Sequence, residues 1–168
     1  MILAAQVDSI TCATAASLSA RRPLRRVFRG EPGNVPLARD FVRRYLDGCR
    51  CFPATVHDIL LCTTELATNA VLHSRSGLPG GHFCVEVALC AGQWVRVTVE
   101  DSGGLWADNS ADDEEAEFGR GLHIVSALSA DMGVIGDASA RRVWFRCPWS
   151  VGQDHQAVGG DSVAGPRH

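Results

Sequence analysis

The sequence lacks any apolar run long enough to cross a membrane. No stretch of the 168 residues approaches the roughly 20 consecutive apolar residues that a spanning helix needs. The apolar start has no basic segment before it and is interrupted by Asp8, so we expect no secretory signal. Excess positive charge is also missing, because the net charge is −3. This gives no reason to expect a nucleic-acid or membrane partner, and we expect a cytoplasmic protein.

Cysteines in a metal-binding pattern are absent as well. The chain has seven cysteines at irregular spacing, and Cys49-Arg50-Cys51 is the only close pair. No second pair or His-x-His cluster completes a tetrahedral zinc site, and a cytoplasmic location disfavours disulfides. We therefore interpret the cysteines as ordinary thiols, and only the discovery of bound zinc would favour a metal or redox function.

The composition predicts one folded domain between two polar ends. Apolar residues make up 46% of the chain and charged residues 21%, which is typical of a globular protein. Residues 1–22 are rich in Ala, Ser and Thr and form either a disordered extension or a short edge element. Residues 150–168 form a Gly-rich tail that we expect to be disordered. The domain should therefore span residues 23–149, and it contains no internal repeat.

The first half of this domain predicts a strand followed by two helices. The strand is expected at Arg25–Arg29. Asn34 is a suitable N-cap for the first helix, and Gly48 is a suitable stop. The second helix is expected from about Thr55 to His73, where apolar residues recur at helical spacing.

The second half predicts strands on either side of a third helix. Alternating apolar residues in 83–89 and 95–99, joined by Ala91-Gly92-Gln93, predict a hairpin. The elements expected after it are, in order, an acidic surface loop over 107–117, a helix opened by Gly119-Arg120-Gly121 and ended by Gly133, and strands at 134–135 and 143–145. This order predicts an α+β fold, a two-layer α/β sandwich in which helices cover one face of a mixed, mostly antiparallel sheet.

The second predicted helix has an unusual polar face. At about 100° per residue, the side expected to pack on the sheet carries Val56, Leu60, Thr63, Ala67 and Val71. The opposite stripe carries Asp58, Cys62, Glu65, Asn69 and His73. Because Glu65 and Asn69 lie one turn apart, the amide oxygen can bind Mg²⁺ while the carboxylate deprotonates a hydroxyl. For this helix alone, a solvated polar face is the plain alternative.

Two glycine motifs follow this helix. Asp101 stands at a strand end, where its carboxylate can accept a hydrogen bond from a base's exocyclic amine, and Gly103 and Gly104 would let the backbone approach a flat ligand. Gly119-Arg120-Gly121 precedes a helix, whose N-terminal N–H groups favour phosphate. Each motif alone is also explained by an ordinary turn or hinge. No Gly-Lys-Ser/Thr follows and no βαβ unit surrounds the second motif, which excludes a P-loop or a Rossmann fingerprint.

Together and in this order, the three segments resemble the motifs of the GHKL (Bergerat-fold) ATPase superfamily. Glu65–His73 resembles the N-box, Val99–Gly104 the first glycine box, and Phe118–Val125 the second. The resemblance covers about residues 25–147. It is strongest to the anti-sigma factor serine kinases and related small actinobacterial ATP-binding regulators, of which Glu-x-x-Thr-Asn-Ala-x-x-His and Gly-Arg-Gly-Leu-x-x-Val-x-x-Leu are typical.

The resemblance implies ATP and Mg²⁺ as ligands. Asn69 would coordinate Mg²⁺, and Glu65 would be the catalytic base that activates a serine hydroxyl of a partner protein. Asp101 would hold the adenine amine, with Gly103 and Gly104 beside it. The residues implied to meet the phosphates are Gly119, Arg120, Gly121 and Leu122.

Two departures from the family pattern stand out. Where the family often has Gly-Thr or Thr-Thr before its last strand, with a Thr that helps hold adenine, this chain has Ala140-Arg141-Arg142-Val143. The first glycine box is also compact, with Asp-x-Gly-Gly in place of Asp-x-Gly-x-Gly.

The function implied by the resemblance is that of an anti-sigma factor with protein serine kinase activity. In that family, ATP-bound homodimers hold a sigma factor until an unphosphorylated STAS-type anti-anti-sigma protein displaces it, and the kinase then phosphorylates that protein. The main alternative is a nucleotide-dependent protein-binding module without phosphotransfer. A detached histidine-kinase catalytic domain is disfavoured because no phospho-acceptor helix pair is present. We expect a homodimer with no direct nucleic-acid or membrane partner.

Overall fold

The computed structural model describes residues 22–47, 53–90, 94–104 and 117–148, with the backbone alone at Cys90 and at residues 117–119. Its elements, in chain order, are β1 (Leu24–Arg29), α1 (Val35–Leu46), α2 (Pro53–Leu72), β2 (His82–Cys90), β3 (Trp94–Asp101), α3 (Glu117–Leu128), β4 (Asp131–Gly136) and β5 (Arg141–Pro148). Short 3₁₀ turns precede α1 and follow α2. The predictions that fall outside the described residues concern both chain ends, Gly48, the Cys49–Cys51 pair, the Ala91–Gln93 turn and the acidic loop up to residue 116.

The strands form one sheet in the order β1-β2-β3-β5-β4. All four described pairings are antiparallel. Cys90 pairs with Trp94, as the predicted hairpin requires. The crossover through α3 brings β5 beside β3, where Val97 faces Phe145. The α+β prediction is therefore confirmed, with an antiparallel sheet throughout the described strands.

The core lies between one face of the sheet and the three helices. Alternate residues of β3 are buried in this core; the apolar ones are Val95, Val97 and Val99. Val125 of α3 and Phe145 of β5 are also fully buried. Burial of these apolar side chains, at about 1.5–3 kcal/mol each, is the main favourable term in folding. None of the helices in the described part of the chain is long and apolar enough to cross a membrane.

Helix α2 buries a wider arc than one face. Thr63, Ala67 and Val71 are buried as predicted, but Cys62, which was expected on the polar stripe, is buried completely. The reason is that α2 packs against α1, against α3 and against the sheet. Contacts with all three leave only a narrow strip of its surface exposed. The interpretation of Cys62 as part of the polar stripe was therefore wrong, and it belongs to the core.

Asn34 is the N-cap of α1, as expected, but it has helical backbone angles and makes no capping hydrogen bond; its Nδ2 donates to the Arg29 carbonyl at 3.1 Å. Both boundaries of α3 differ from the sequence-based expectation. Helix α3 begins at Glu117, so the second glycine motif lies inside its first turns. That helix ends at Leu128, and Gly133 is a residue of β4 that pairs with Trp144. A Cβ at Gly133 would lie 2.8 Å from the indole ring, which explains a glycine in this strand.

Candidate functional site

Helix α3 reaches the polar side of α2 through Gly121. A Cβ atom placed on this buried glycine would lie 3.0 Å from Oε2 of Glu65 and 3.4 Å from Nδ2 of Asn69. The structure thus brings together three of the residues that the sequence indicated for one site. Because Gly121 has no side chain, the backbone of α3 can approach both polar groups closely.

The Asn69 amide is the polar group in this cluster that most clearly indicates a ligand. Its Nδ2 is buried, and within the described residues it has no hydrogen-bond partner. A buried donor without a partner costs about 1–3 kcal/mol. Rotation of the amide exchanges Nδ2 and Oδ1, so the same position suits a phosphate oxygen or a magnesium ion. Asn69 therefore fits the ligand that the family motif implies.

Asp101, the last residue of β3, is buried and already holds three hydrogen bonds. Its Oδ1 accepts from the Gly103 N–H at 2.8 Å. Its Oδ2 accepts from Nε and Nη2 of Arg141 at 3.1 and 2.9 Å. Burial raises the pKa of the Asp101 carboxyl, while the hydrogen bond and the charge of Arg141 act in the opposite direction. The carboxylate is thus held by an internal cation.

Arg141 was not among the site residues predicted from the sequence. It is the first residue of β5 and is the register partner of Asp101. One feature of the sequence did point to this position: the chain has Ala140-Arg141 where the family often has Gly-Thr. The sequence alone did not show that this arginine points to the helix side of the sheet while its neighbour Arg142 points away.

The two glycines after Asp101 anchor the first glycine box to neighbouring loops. Gly103 has a φ of +63°, and a Cβ there would lie 2.3 Å from the Ala138 carbonyl oxygen. The Gly104 N–H donates to the same oxygen at 3.0 Å. The close approach seen at Gly103 is thus to the β4–β5 hairpin. Its role beside a nucleotide remains a prediction.

A serine turn after α2, which sequence reasoning missed, completes this anchoring. Ser76 is fully buried, and its Oγ accepts from the Ser102 N–H at 2.9 Å. The Arg75 N–H donates to the Gly103 carbonyl at 2.7 Å. The Ser74-x-Ser76 pattern directly after the helix is the signal for such a turn, because Ser74 Oγ accepts from the Ser76 N–H.

The two groups of residues are connected through the backbone at the C-terminal end of α2. The His73 N–H donates to the Asn69 carbonyl at 2.9 Å, and a Cβ on Gly104 would lie 3.6 Å from the His73 carbonyl oxygen. The remaining predicted residues lie at the start of α3. Gly119 is in its first turn, the Arg120 side chain is exposed, and Leu122 is half-buried against the core.

A cleft of about 310 Å³ lies on the face of the sheet opposite the described helices. Its wall includes Glu100, whose Oε2 accepts from Arg25 Nη2 at 3.1 Å and from Arg142 Nε at 2.8 Å. None of the predicted site residues lines this cleft. The family motifs point to the helix side, and we locate the candidate site there because its residues converge on α2.

Comparison with known proteins identifies the family. The chain belongs to the histidine kinase-like ATPase domain family, whose model matches residues 28–147. The resemblance to GHKL ATPases is therefore confirmed, and membership of this family implies ATP binding. No curated protein matches the chain significantly.

Two solved structures have a similar fold. One contains the RsbU and RsbW domains of Rv1364c from Mycobacterium tuberculosis, with 20% identity, a TM-score of 0.59 and 76% of this chain covered. The chain spans 32% of that protein. The other is the SiaB–SiaC complex from Pseudomonas aeruginosa, with 14% identity, a TM-score of 0.50, and 74% of this chain and 88% of that chain covered. At these identities the similarity shows the fold.

Proposed function

We propose that this protein is a cytoplasmic anti-sigma factor that binds Mg-ATP and has protein serine kinase activity toward a STAS-type anti-anti-sigma partner. The observation that carries the proposal is the convergence of Glu65, Asn69 and Gly121 where α2 meets α3. A carboxylate that can accept a proton and a buried amide that can hold a metal ion, both close to the N-terminal turns of a helix, are groups suited to phosphoryl transfer. The family match over residues 28–147 supports the nucleotide.

The amide of Asn69 is the group that would hold Mg²⁺ through Oδ1. When bound, Mg²⁺ neutralises the charge on the phosphate oxygens. Glu65 lies one helical turn earlier on the same side of α2 and would accept the proton of a partner's serine hydroxyl. Both side chains are half-buried, so a partner protein can still reach them.

Asp101 and the start of α3 would bind the two ends of ATP. The remaining lone pair of the Asp101 carboxylate would accept a hydrogen bond from the adenine amine, with Gly103 and Gly104 nearby. The phosphates would lie at the N-terminal turns of α3, where the N–H groups of the first turn, including that of Gly119, favour negative charge. Arg120, Gly121 and Leu122 follow in the helix, where the exposed Arg120 side chain would add positive charge and Gly121 would allow a close approach.

The proposed partners are proteins. The SiaB–SiaC structure is a protein complex, and an RsbW domain is part of the other similar structure. Both similarities support the proposal that this chain binds other proteins. We propose a sigma factor as the sequestered partner, an anti-anti-sigma protein as the phosphate acceptor, and a homodimer as the active form.

The first experiment is calorimetric titration of ATP into the protein, with and without Mg²⁺, beside an Asn69→Ala variant. We expect magnesium-dependent binding that the variant weakens by at least about tenfold, which corresponds to about 1.4 kcal/mol. Asn34→Ala is the matched control, since the Asn34 Nδ2 donates to the Arg29 carbonyl, away from the candidate site, and its loss should leave the affinity unchanged. A folded wild-type protein that binds no ATP would overturn the proposal.

A nucleotide-dependent binding module without phosphotransfer is the second candidate. Within the described residues, no hydrogen bond orients the Glu65 carboxylate, and general bases are commonly held by a neighbouring group. This candidate predicts stoichiometric ATP binding and no phosphate transfer to any protein that the chain binds.

A further inference from the structure

We infer that Arg141 sets the nucleobase selectivity of this pocket: by occupying the Asp101 carboxylate, it allows 6-oxo purine nucleotides to bind nearly as well as ATP. The inference deepens the proposed nucleotide binding and depends on it. It concerns Arg141, which among the described residues is the cation that pairs directly with the carboxylate assigned to the base.

The first step is the hydrogen-bonding capacity of Asp101. A carboxylate offers about four lone-pair positions. Three are filled inside the protein, by the Gly103 N–H and by Nε and Nη2 of Arg141. The Asp101 and Arg141 side chains are only 4% and 5% exposed, so solvent does not loosen the pair. The exocyclic amine of a base can therefore take only the one remaining position on a carboxylate whose charge is already paired with Arg141.

The second step is the physical origin of selectivity. A pocket rejects the wrong base strongly when binding would leave a buried polar group without a partner, and such rejection reaches about 10⁴–10⁵-fold. A buried carboxylate without an internal cation would impose that penalty on any base that lacks an amine. Because Arg141 already pairs with Asp101, a 6-oxo base leaves no buried charge unpaired. The penalty that favours adenine is therefore largely removed.

The third step is that the sheet makes Arg141 different from the arginine beside it. Arg141 pairs with Asp101 on the helix side, whereas Arg142 is exposed on the other face and pairs with Glu100. The alternation of strand side chains puts consecutive residues on opposite faces. Arg142 therefore provides a matched control of the same residue type, one position away and outside the site.

The test measures the affinities for ATP and ITP by calorimetry in the wild-type protein, Arg141→Thr and Arg142→Thr. ITP has an oxo group in place of the 6-amine of ATP, and its N1 accordingly carries a hydrogen. We expect a wild-type ratio of dissociation constants, ITP over ATP, below about tenfold, and a further rise of at least about tenfold in Arg141→Thr. Arg142→Thr should keep the wild-type ratio.

The outcomes separate this inference from the proposed function. If folded wild-type protein and Arg141→Thr bind neither nucleotide, both proposals fail. If the nucleotides bind but the wild-type protein already prefers ATP by more than about tenfold, or if Arg141→Thr leaves the ratio unchanged, only the role of Arg141 is wrong. Should Arg141→Thr fail to fold, Arg141→Gln keeps a donor to Asp101 without the charge and is expected to raise the ratio in the same direction.

Discussion

Gly121 of α3 lies against the carboxylate of Glu65 on α2, so closely that a Cβ on the glycine would be 3.0 Å from Oε2. This contact joins the second glycine motif to the polar stripe of α2 in space. Because glycine has no side chain, the two helices can approach each other closely at this point of the candidate site. A larger residue at position 121 should displace the Glu65 carboxylate without unfolding the protein.

Gly121→Ala should therefore lower the rate of phosphate transfer without lowering the stability of the fold. Alanine is favoured over glycine inside a helix by about 1 kcal/mol, and the atom it meets is the flexible end of Glu65. The carboxylate must move by a few tenths of an ångström, and we expect phosphotransfer to fall by about three- to tenfold, since misplacement by about 1 Å can cost 10²-fold. Thermal unfolding and phosphate-transfer rates measure the two effects. Gly33→Ala, where no atom lies within 4 Å, is the control that should change neither.

Glu65→Ala should separate binding from chemistry. We expect Mg-ATP affinity to stay within about threefold of the wild-type value, since the base contributes to the transition state. Transfer of labelled phosphate to the serine of the anti-anti-sigma partner should fall by about 10²-fold or more. Asp58→Ala removes a carboxylate from the same side of α2 and should leave transfer intact. Equal transfer by wild type and Glu65→Ala would contradict the assignment of the base.

Gly103→Ala should destabilise the protein through two separable effects. The positive φ costs a non-glycine residue about 1–2 kcal/mol, and the added Cβ would also lie 2.3 Å from the Ala138 carbonyl oxygen. Gly80 has a φ of +80° and a Cβ there would meet no atom within 4 Å. Gly80→Ala should therefore lose stability only through the unfavourable backbone angle. Urea unfolding should show a clearly larger loss for Gly103→Ala. Equal losses would mean that the hairpin contact moves aside freely.

The buried thiols should make stability fall above pH 9. Burial raises the pKa of Cys62 to about 12 and that of Cys147 to about 11, from an ordinary value of 9.0. The folded state thus holds these protons more tightly than the unfolded state. Their contribution is fully present below pH 9 and is lost as pH rises through the folded-state pKa values, at about 1.4 kcal/mol per pH unit for each thiol.

The measurement for this effect is urea unfolding at pH values between 8 and 10.5. Cys62→Ala should show a shallower loss of unfolding free energy over this range than the wild-type protein, because one of the two thiols is gone. Its lower stability at pH 8 is a separate packing effect and does not enter the slope. A slope identical to that of the wild type would show that Cys62 is not protected from ionisation.

Local patterns in the sequence were sufficient to predict most of the helices and strands and to recognise the family. Apolar spacing placed α2 at about 55–73, and it spans Pro53–Leu72. The N-box and the two glycine boxes led to the ATPase family that the match confirms. These features are readable because helix periodicity, strand alternation and turn chemistry depend on neighbours within a few residues.

The sequence by itself therefore determined the α+β architecture, the class of ligand and the set of polar residues on α2. Only the tertiary structure decided that Cys62 is buried and that Arg141 holds Asp101, forty positions away. The physical reason is that both depend on which elements become neighbours. The flanks of α2 are defined by α1 and α3, and the Asp101–Arg141 pair exists because β5 returns beside β3 in one particular register.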